Sequence, residues 1–498
     1  MSTIRKFAGQ TIIYGFSTIV ARLINFVLTP VFVKKFPASV YGILSNLYAW
    51  SAVLSAILAF GMETTFFRYL QKNNTSKAQV YNNTFIVILV LVLLFISGTS
   101  LFARDIAGWI LKGENVDDTV QYVWYFVFTL SLDALAIIPF AKVRAEGRAL
   151  RYGLIKLANI IIFVSLTLLC IVYIPYAIKQ GLPGAEWAEN GYRQGWLGYI
   201  FIAQLIASSV TLLLLLPELL SIRFQFNRKL AMDMFLYSFP ILVANISFII
   251  NENLDKIFLE KLLPAEVGKT ELGIYAACVK MGIFLNIAIN AFRLGAEPFF
   301  FSQAKKPNSG QTYALIMDYL IILMAIATIG IVANIEILKY FISGGTSEQQ
   351  QLYWSGLHIA PILLMAYIFL GVYMNLSIWY KLSDQTRFGL YISGTGAIIT
   401  IVLNIIFIPL YSYTASAWIT LITYFVMMSM SYILGQKYYA IPYHISKNIL
   451  YILLAGILSW LSFVIFKRNL IIGNIILMAF ILYVYITEKE RLKQFLKK

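Results

Sequence analysis

Residues 14–33 read YGFSTIVARLINFVLTPVFV, an apolar run of twenty residues with Arg22 close to its middle. Wound as a helix, twenty residues rise about 30 Å, which is the thickness of the hydrocarbon core of a bilayer. An arginine at that depth costs about 2.5–3.5 kcal/mol on insertion scales, so something other than lipid has to surround it.

The composition settles which solvent the chain is built for. Of 498 residues, 60% are hydrophobic and only 12% are charged, and the mean hydropathy is +0.77. A water-soluble fold has no way to hide that much apolar surface. Comparable runs recur along the whole chain, and fourteen membrane helices are expected, near 11–33, 41–62, 80–102, 119–140, 152–174, 196–217, 234–256, 272–296, 313–338, 354–379, 387–409, 414–435, 448–466 and 470–487. The runs are continuously apolar rather than alternating, which argues for helices and against a β-barrel. The first run is too long for a cleaved leader, has no small-residue cleavage site and is followed at once by Lys34 and Lys35, so it is read as a mature helix. The only two cysteines, Cys170 and Cys278, fall inside expected spans, which indicates neither a disulfide framework nor a thiolate metal site.

Orientation follows from the basic residues. With the N-terminus inside, the inner segments hold 23 of the 39 lysines and arginines, the outer segments 12, and four lie within spans. Both termini are therefore expected in the cytoplasm. The formal charge of +16 reads as this topology signal and as a match to anionic headgroups, not as a nucleic-acid footprint. The tail TEKERLKQFLKK is expected to lie against the inner membrane surface.

The chain also repeats itself. Tyr41, Gly61, Glu63, Phe66 and Phe67 recur as Tyr275, Gly295, Glu297, Phe300 and Phe301, and RYGL at 151–154 recurs as RFGL at 387–390. Six helices per copy return the chain to the same side, so the copies are expected as parallel repeats about an axis along the membrane normal. The expected class is all-α and polytopic: an N-lobe over 1–230, a C-lobe over 231–440, and two further helices with a basic tail over 441–498. A substrate site is expected between the lobes, where polar helix faces meet water.

Polar residues fall in stripes that suit such a site. In the first span Thr11, Thr18, Arg22, Asn25 and Thr29 share one face, and in the eighth Asn286, Asn290, Arg293 and Glu297 follow at helical spacing. In the seventh, Ser238, Asn245, Glu252 and Lys256 form a third stripe, with Glu252 placed to neutralise Lys256 and Asp255 beside it. Several of these residues carry two readings. Arg22 either borders the wet site or pairs with a buried acid such as Asp133, and Arg293 either does the same or pairs with Glu297. Lys280 is an outer-vestibule cation or a snorkelling side chain. Asp133 partners a cation or titrates in ion coupling. Glu63 and Glu297 are a cytoplasmic gate or structural charges, and His358 is a packing histidine rather than a proton relay.

Motifs for chemistry are absent. There is no GxxxxGK[ST], no HExxH and no CxxC, so nucleotide hydrolysis, metal catalysis and a bound metal are not expected. The longest outer loop, about twenty residues, is too short for the catalytic domain of a membrane glycosyltransferase. The chain is not expected to be an enzyme or to hold a cofactor, although transport can be coupled to H+ or Na+.

Four segments carry a resemblance: TPVFVKKFPASVYG from Thr29, NENLDKIFLEKLLPAEVGKTELGIYAACVKMG from Asn251, AEPFFFSQAK from Ala296, and NIIFIPLYSYTASAWITLITY from Asn404. With them the chain resembles the polysaccharide transporter family, the O-antigen (Wzx-type) flippase branch of the multidrug/oligosaccharidyl-lipid/polysaccharide exporter superfamily. It departs where that family has Gly-x-x-Gly-Ala-Ala and this chain has Ser412-Tyr-Thr-Ala-Ser-Ala417. The resemblance implies alternating access that carries an undecaprenyl-pyrophosphate-linked oligosaccharide across the bacterial inner membrane, for O-antigen, lipopolysaccharide or exopolysaccharide synthesis. It also implies working partners such as a polymerase and glycosyltransferases. On that reading Arg22 and Arg293, with Lys280, Asn25, Asn286 and Asn290, contact the pyrophosphate or the sugars, because a guanidinium fork matches phosphate. Two transport rivals stand beside it: a lipid II flippase, and a cation-coupled multidrug antiporter, which would more naturally show twelve spans and an acidic cavity.

Overall fold

The computed structural model describes residues 26–70, 76–111, 115–183, 186, 189–223, 225–303, 309–383 and 385–496. Arg22 and Asn25 lie outside the described residues, and the side chain of Glu297 does too. Among the described residues the regular structure is helical, as the apolar periodicity predicts. Eleven of these helices are long and apolar enough to cross a membrane, and Gly198–Leu214 is a shorter apolar one. Large apolar side chains point outward along them, Leu94, Leu101 and Ile471 each being 65–77% exposed. That surface is the inverse of a water-soluble one and suits lipid.

The helix Arg387–Tyr438 accounts for two of the expected spans at once. Its 52 residues would rise about 78 Å if unbroken, more than twice the hydrocarbon thickness. The backbone breaks at Ser412, with φ 51° and ψ −140°, in the left-handed half of conformational space where glycine is the comfortable residue. This is the point at which the sequence departs from the resembled pattern. The serine compensates by donating from its Oγ to Glu271 Oε2 at 2.7 Å.

The chain packs as two compact units, Met1–Thr270 and Glu271–Lys498. In the first, Val116–Ala145 packs on Lys77–Ile110 and on Gly198–Leu214, which in turn packs on Ala149–Leu168. Asparagines start two of the long helices: Asn115 Oδ1 accepts from Asp117 N, and Asn227 Oδ1 from Leu230 N, each satisfying a donor that the first helical turn leaves open. Arg228–Leu262, at the junction of the expected lobes, packs on Ala38–Ala59, Met62–Leu70 and Lys77–Ile110 of the same unit.

Ala38–Ala59 and Met62–Leu70 are separated by a tight break in which Phe60 and Gly61 both take positive φ, 46° and 66°. Arg228–Leu262 presses directly on that break. A Cβ on Gly61 would sit 2.9 Å from Ile241 Cγ2 and 3.2 Å from the Ser238 carbonyl oxygen. Thr65 Oγ1 and Ser238 Oγ, 2.7 Å apart, close the contact one turn further on. Gly61→Ala therefore meets both a backbone conformation it disfavours and a clash with main chain. The expected loss is about 2 kcal/mol of stability, read as a lowered unfolding midpoint of the purified protein in detergent.

In the second unit Ala360–Leu376 packs along Arg387–Tyr438, and Ser309–Ala333 takes both Ile445–Trp460 and Leu470–Leu496. Polar clusters fasten these last two helices near each end of Ser309–Ala333. At one end Asn334 and Asn474 exchange amide hydrogen bonds at 3.1–3.2 Å, and Arg468 pairs with Glu336 at 3.2 Å. At the other, the fully buried Asp318 receives His444 Nδ1 at 2.8 Å and Lys447 Nζ at 3.1 Å. Lys447 also reaches buried Glu488 at 2.8 Å, which accepts from the Tyr451 hydroxyl at 2.9 Å.

Candidate functional site

In the first unit the candidate site is a cavity of about 410 Å³ bordered by the helices Ala38–Ala59, Val116–Ala145 and Arg228–Leu262, with Ser55, Asp133 and Asn245 as its polar lining. Asp133 lies twelve residues from the end of Val116–Ala145, roughly 18 Å along a helix axis. Asp133 is an exposed residue on the cavity lining. Ser208 is its near polar neighbour, and Lys156 supplies the nearby positive charge. Lys156 in turn lies 4.3 Å over the Phe140 ring and within the field of Glu63 and Arg144. Lys156 acts on Asp133 through its charge, with no ion pair between them among the described residues.

Glu63 forms an ion pair with Arg144, joining Met62–Leu70 to Val116–Ala145. Arg144 also lies 5.1 Å over the Phe67 ring. The seventh-span stripe divides along its length. Ser238 is consumed in packing, Asn245 faces the cavity, and Lys256 Nζ reaches the Glu252 carbonyl oxygen at 3.1 Å and Asn253 Oδ1 at 2.9 Å. Asp255 is buried, and its Oδ1 accepts from the Lys256 backbone N–H at 2.8 Å.

In the second unit the eighth-span stripe is built on Ile283–Gln303, which follows Ala265–Val279 after a single 3-10 turn, Lys280–Gly282. Lys280 stands at that turn. Asn290 Nδ2 donates to both the carbonyl and the side-chain oxygen of Asn286 at 2.7 Å, so these two amides act as one polar patch. Arg293 borders a small cleft with Asn375, Ser377 and Lys381. Asn375 is 2% exposed, and among the described residues neither its Oδ1 nor its Nδ2 has a hydrogen-bond partner. An amide buried without partners costs about 1–3 kcal/mol, and the cleft beside it, about 20 Å³, has the room of a single water. His358 has both ring nitrogens engaged, with the Ser355 carbonyl oxygen at 2.9 Å and Thr414 Oγ1 at 3.0 Å.

The sequence reading passed over Asn375, Lys381, Arg144 and the Asp318–Lys447–Glu488 cluster. Asp318 was visible as an acid inside an expected span. Asn375, within YMNLSIW, carries no spacing signal, because its meaning depends on the side chain that packing sets beside it.

The family model described as "Polysaccharide biosynthesis protein" matches residues 7–301. No curated protein matches the sequence. Among solved structures the chain is similar to "Lipid II flippase MurJ, inward closed conformation" at 13% identity, covering 97% of this chain and 100% of that one with a TM-score of 0.75. It is similar to an inward-facing multidrug resistance MATE family transporter of the MOP superfamily at 14% identity, over 84% and 94% of the two chains, with a TM-score of 0.62. The MATE multidrug transporter DinF-BH is similar at 16% identity over 88% and 96%, with a TM-score of 0.60. At these identities the likeness concerns the fold, which is the one expected of the superfamily. Since the family match spans more than half of the chain and the helices are those of a multi-pass membrane protein, the chain belongs to the polysaccharide biosynthesis protein family.

Proposed function

We propose that this protein is a flippase that moves an undecaprenyl-pyrophosphate-linked oligosaccharide across the bacterial inner membrane by alternating access, for surface polysaccharide or O-antigen assembly. The observation that carries the reading is the family match over residues 7–301. The chemistry of the second unit supports it. Arg293 and Lys381 border one cleft, and cations in such a pair suit a phosphate. Arg22, Asn25, Lys280, Asn286 and Asn290 complete the proposed substrate contacts. Asp133, with Lys156 and Ser208 beside it, is the proposed point of coupling to H+ or Na+, and Glu252 and Asp255 are secondary candidates. Glu63 and Glu297 belong to the cytoplasmic gate. Both termini lie in the cytoplasm on this reading, where a polymerase and glycosyltransferases would be met.

A second reading, transport of lipid II itself, is favoured by the fold likeness to MurJ over 97% of the chain. Complementation separates the two. Expression in a strain lacking its polysaccharide flippase is expected to restore surface glycan, and expression in a strain depleted of its lipid II flippase is expected not to restore growth. The reverse pattern would replace the proposal with the second reading.

A further inference from the structure

A second and larger cavity lies in the first unit, away from Asp133. It opens where Met62–Leu70 and Val116–Ala145 end and Lys77–Ile110 begins, and its volume is about 870 Å³. Its charged lining is Lys77, Lys142, Arg223 and Glu146. Glu146 is already committed to an ion pair with Arg148. Among the described residues no carboxylate stands within ion-pair distance of Lys77, Lys142 or Arg223. The lining therefore carries, among the described residues, three cations and one carboxylate, Glu146, whose charge is directed to Arg148.

Its walls are also fixed in place. Lys142 Nζ lies 4.6 Å over the Tyr81 ring and donates to Ser221 Oγ at 2.5 Å, which among the described residues leaves two of its three ammonium donors uncommitted. Tyr81 is anchored through its hydroxyl to the Glu218 carbonyl oxygen at 2.8 Å. The segment carrying Arg223 is pinned from below: Asn82 Oδ1 accepts from Arg223 N at 3.1 Å, and Asn83 Oδ1 from Asn227 N at 3.0 Å. Three cations against one already paired carboxylate favour an anion, and the Lys142 ammonium, held by Ser221 and Tyr81, needs little further ordering to bind it. The volume is that of a small-molecule pocket, well beyond a lone inorganic ion. The aromatic floor of Phe66, Phe67 and Tyr81 suits the carbon skeleton attached to such an anion. The position at the ends of apolar helices is headgroup depth.

We propose that this cavity binds a phosphate ester at the membrane surface, through Lys142 and Arg223 with Lys77. The ester is either the headgroup of an anionic phospholipid or a water-soluble phosphate ester. The proposal stands on this cavity alone and is independent of the flippase reading. The test uses the full chain, purified and reconstituted in nanodiscs of phosphatidylcholine with or without phosphatidylglycerol. Native mass spectrometry reads the lipid retained, and thermal shifts are measured with glycerol 3-phosphate. If the source is lipid, the wild type retains phosphatidylglycerol about five-fold over phosphatidylcholine, and Lys142→Gln/Arg223→Gln loses that preference. If the source is soluble, glycerol 3-phosphate raises the wild-type midpoint in a saturable way and leaves the double variant unmoved. Lys142→Arg/Arg223→Lys keeps the wild-type response in either case, which separates loss of charge from loss of fold. A double Gln variant that behaves as wild type in both arms overturns the proposal. So does an equal loss in Arg104→Gln/Lys179→Gln, which removes two charges elsewhere in the unit.

Discussion

In the complementation assay, Arg22→Ala is expected to lower surface glycan export to about a tenth of wild type or less at equal protein abundance, the loss of a charge-assisted hydrogen bond to phosphate being about 1.5–3 kcal/mol. Arg22 lies outside the described residues, so the expectation rests on its sequence setting. It sits near the centre of an apolar run that contains no acid, and its insertion cost would go unrecovered in lipid. A residue retained there for stability alone should be replaceable by alanine with a gain in insertion energy. Arg22→Lys keeps the charge but loses the planar fork, and should retain part of the activity. Arg293→Ala should act in the same direction, because it removes the cation beside the buried Asn375 amide. Quantifying surface polysaccharide against immunoblotted protein checks all three. Undiminished export by Arg22→Ala at normal abundance would remove this arginine from the proposed site.

Lys447→Met is expected to destabilise the second unit by about 3–5 kcal/mol, the usual cost of breaking a buried ion pair from one side. Lys447 is the shared cation of two buried carboxylates, Asp318 at 3.1 Å and Glu488 at 2.8 Å. Removing it leaves His444 on Asp318 and, among the described residues, the Tyr451 hydroxyl on Glu488. Because the cluster joins Ser309–Ala333, Ile445–Trp460 and Leu470–Leu496, the loss should appear as early detachment of the last two helices. Limited proteolysis near Tyr439–Ile445 and the thermal midpoint in detergent would both report it. Adding Glu488→Gln to Lys447→Met removes the stranded charge as well, and should recover a substantial part of the loss. A Lys447→Met protein with the wild-type midpoint would mean that water already satisfies these carboxylates.

Much of this architecture was legible without coordinates, for a specific physical reason. In a bilayer each spanning segment must satisfy its own backbone, so helix, length and apolarity coincide, and twenty-residue runs announce themselves. The helices Lys77–Ile110, Val116–Ala145 and Ile445–Trp460 fall where apolar runs were expected. The break at Ser412 falls between two of those runs, at the residue where the resembled family carries glycine. Charges inside spans were equally visible, because each is expensive enough to stand out from a sequence that is 60% hydrophobic.

What those charges touch was not visible. Helical spacing placed Glu252 to meet the side chain of Lys256, whose ammonium also turns back to the main-chain carbonyl of Glu252 and to Asn253. Asp133 found Ser208 and Lys156 on two other helices, and Glu63 found Arg144, neighbours separated by 75, 23 and 81 positions along the chain. By itself the sequence determined an all-helical membrane protein with costly polar residues kept at particular depths, because the bilayer penalises each helix separately. Only the tertiary structure decided which of those residues neutralise one another, which amide is left without a partner and where cavities open, because these depend on neighbours that packing brings together.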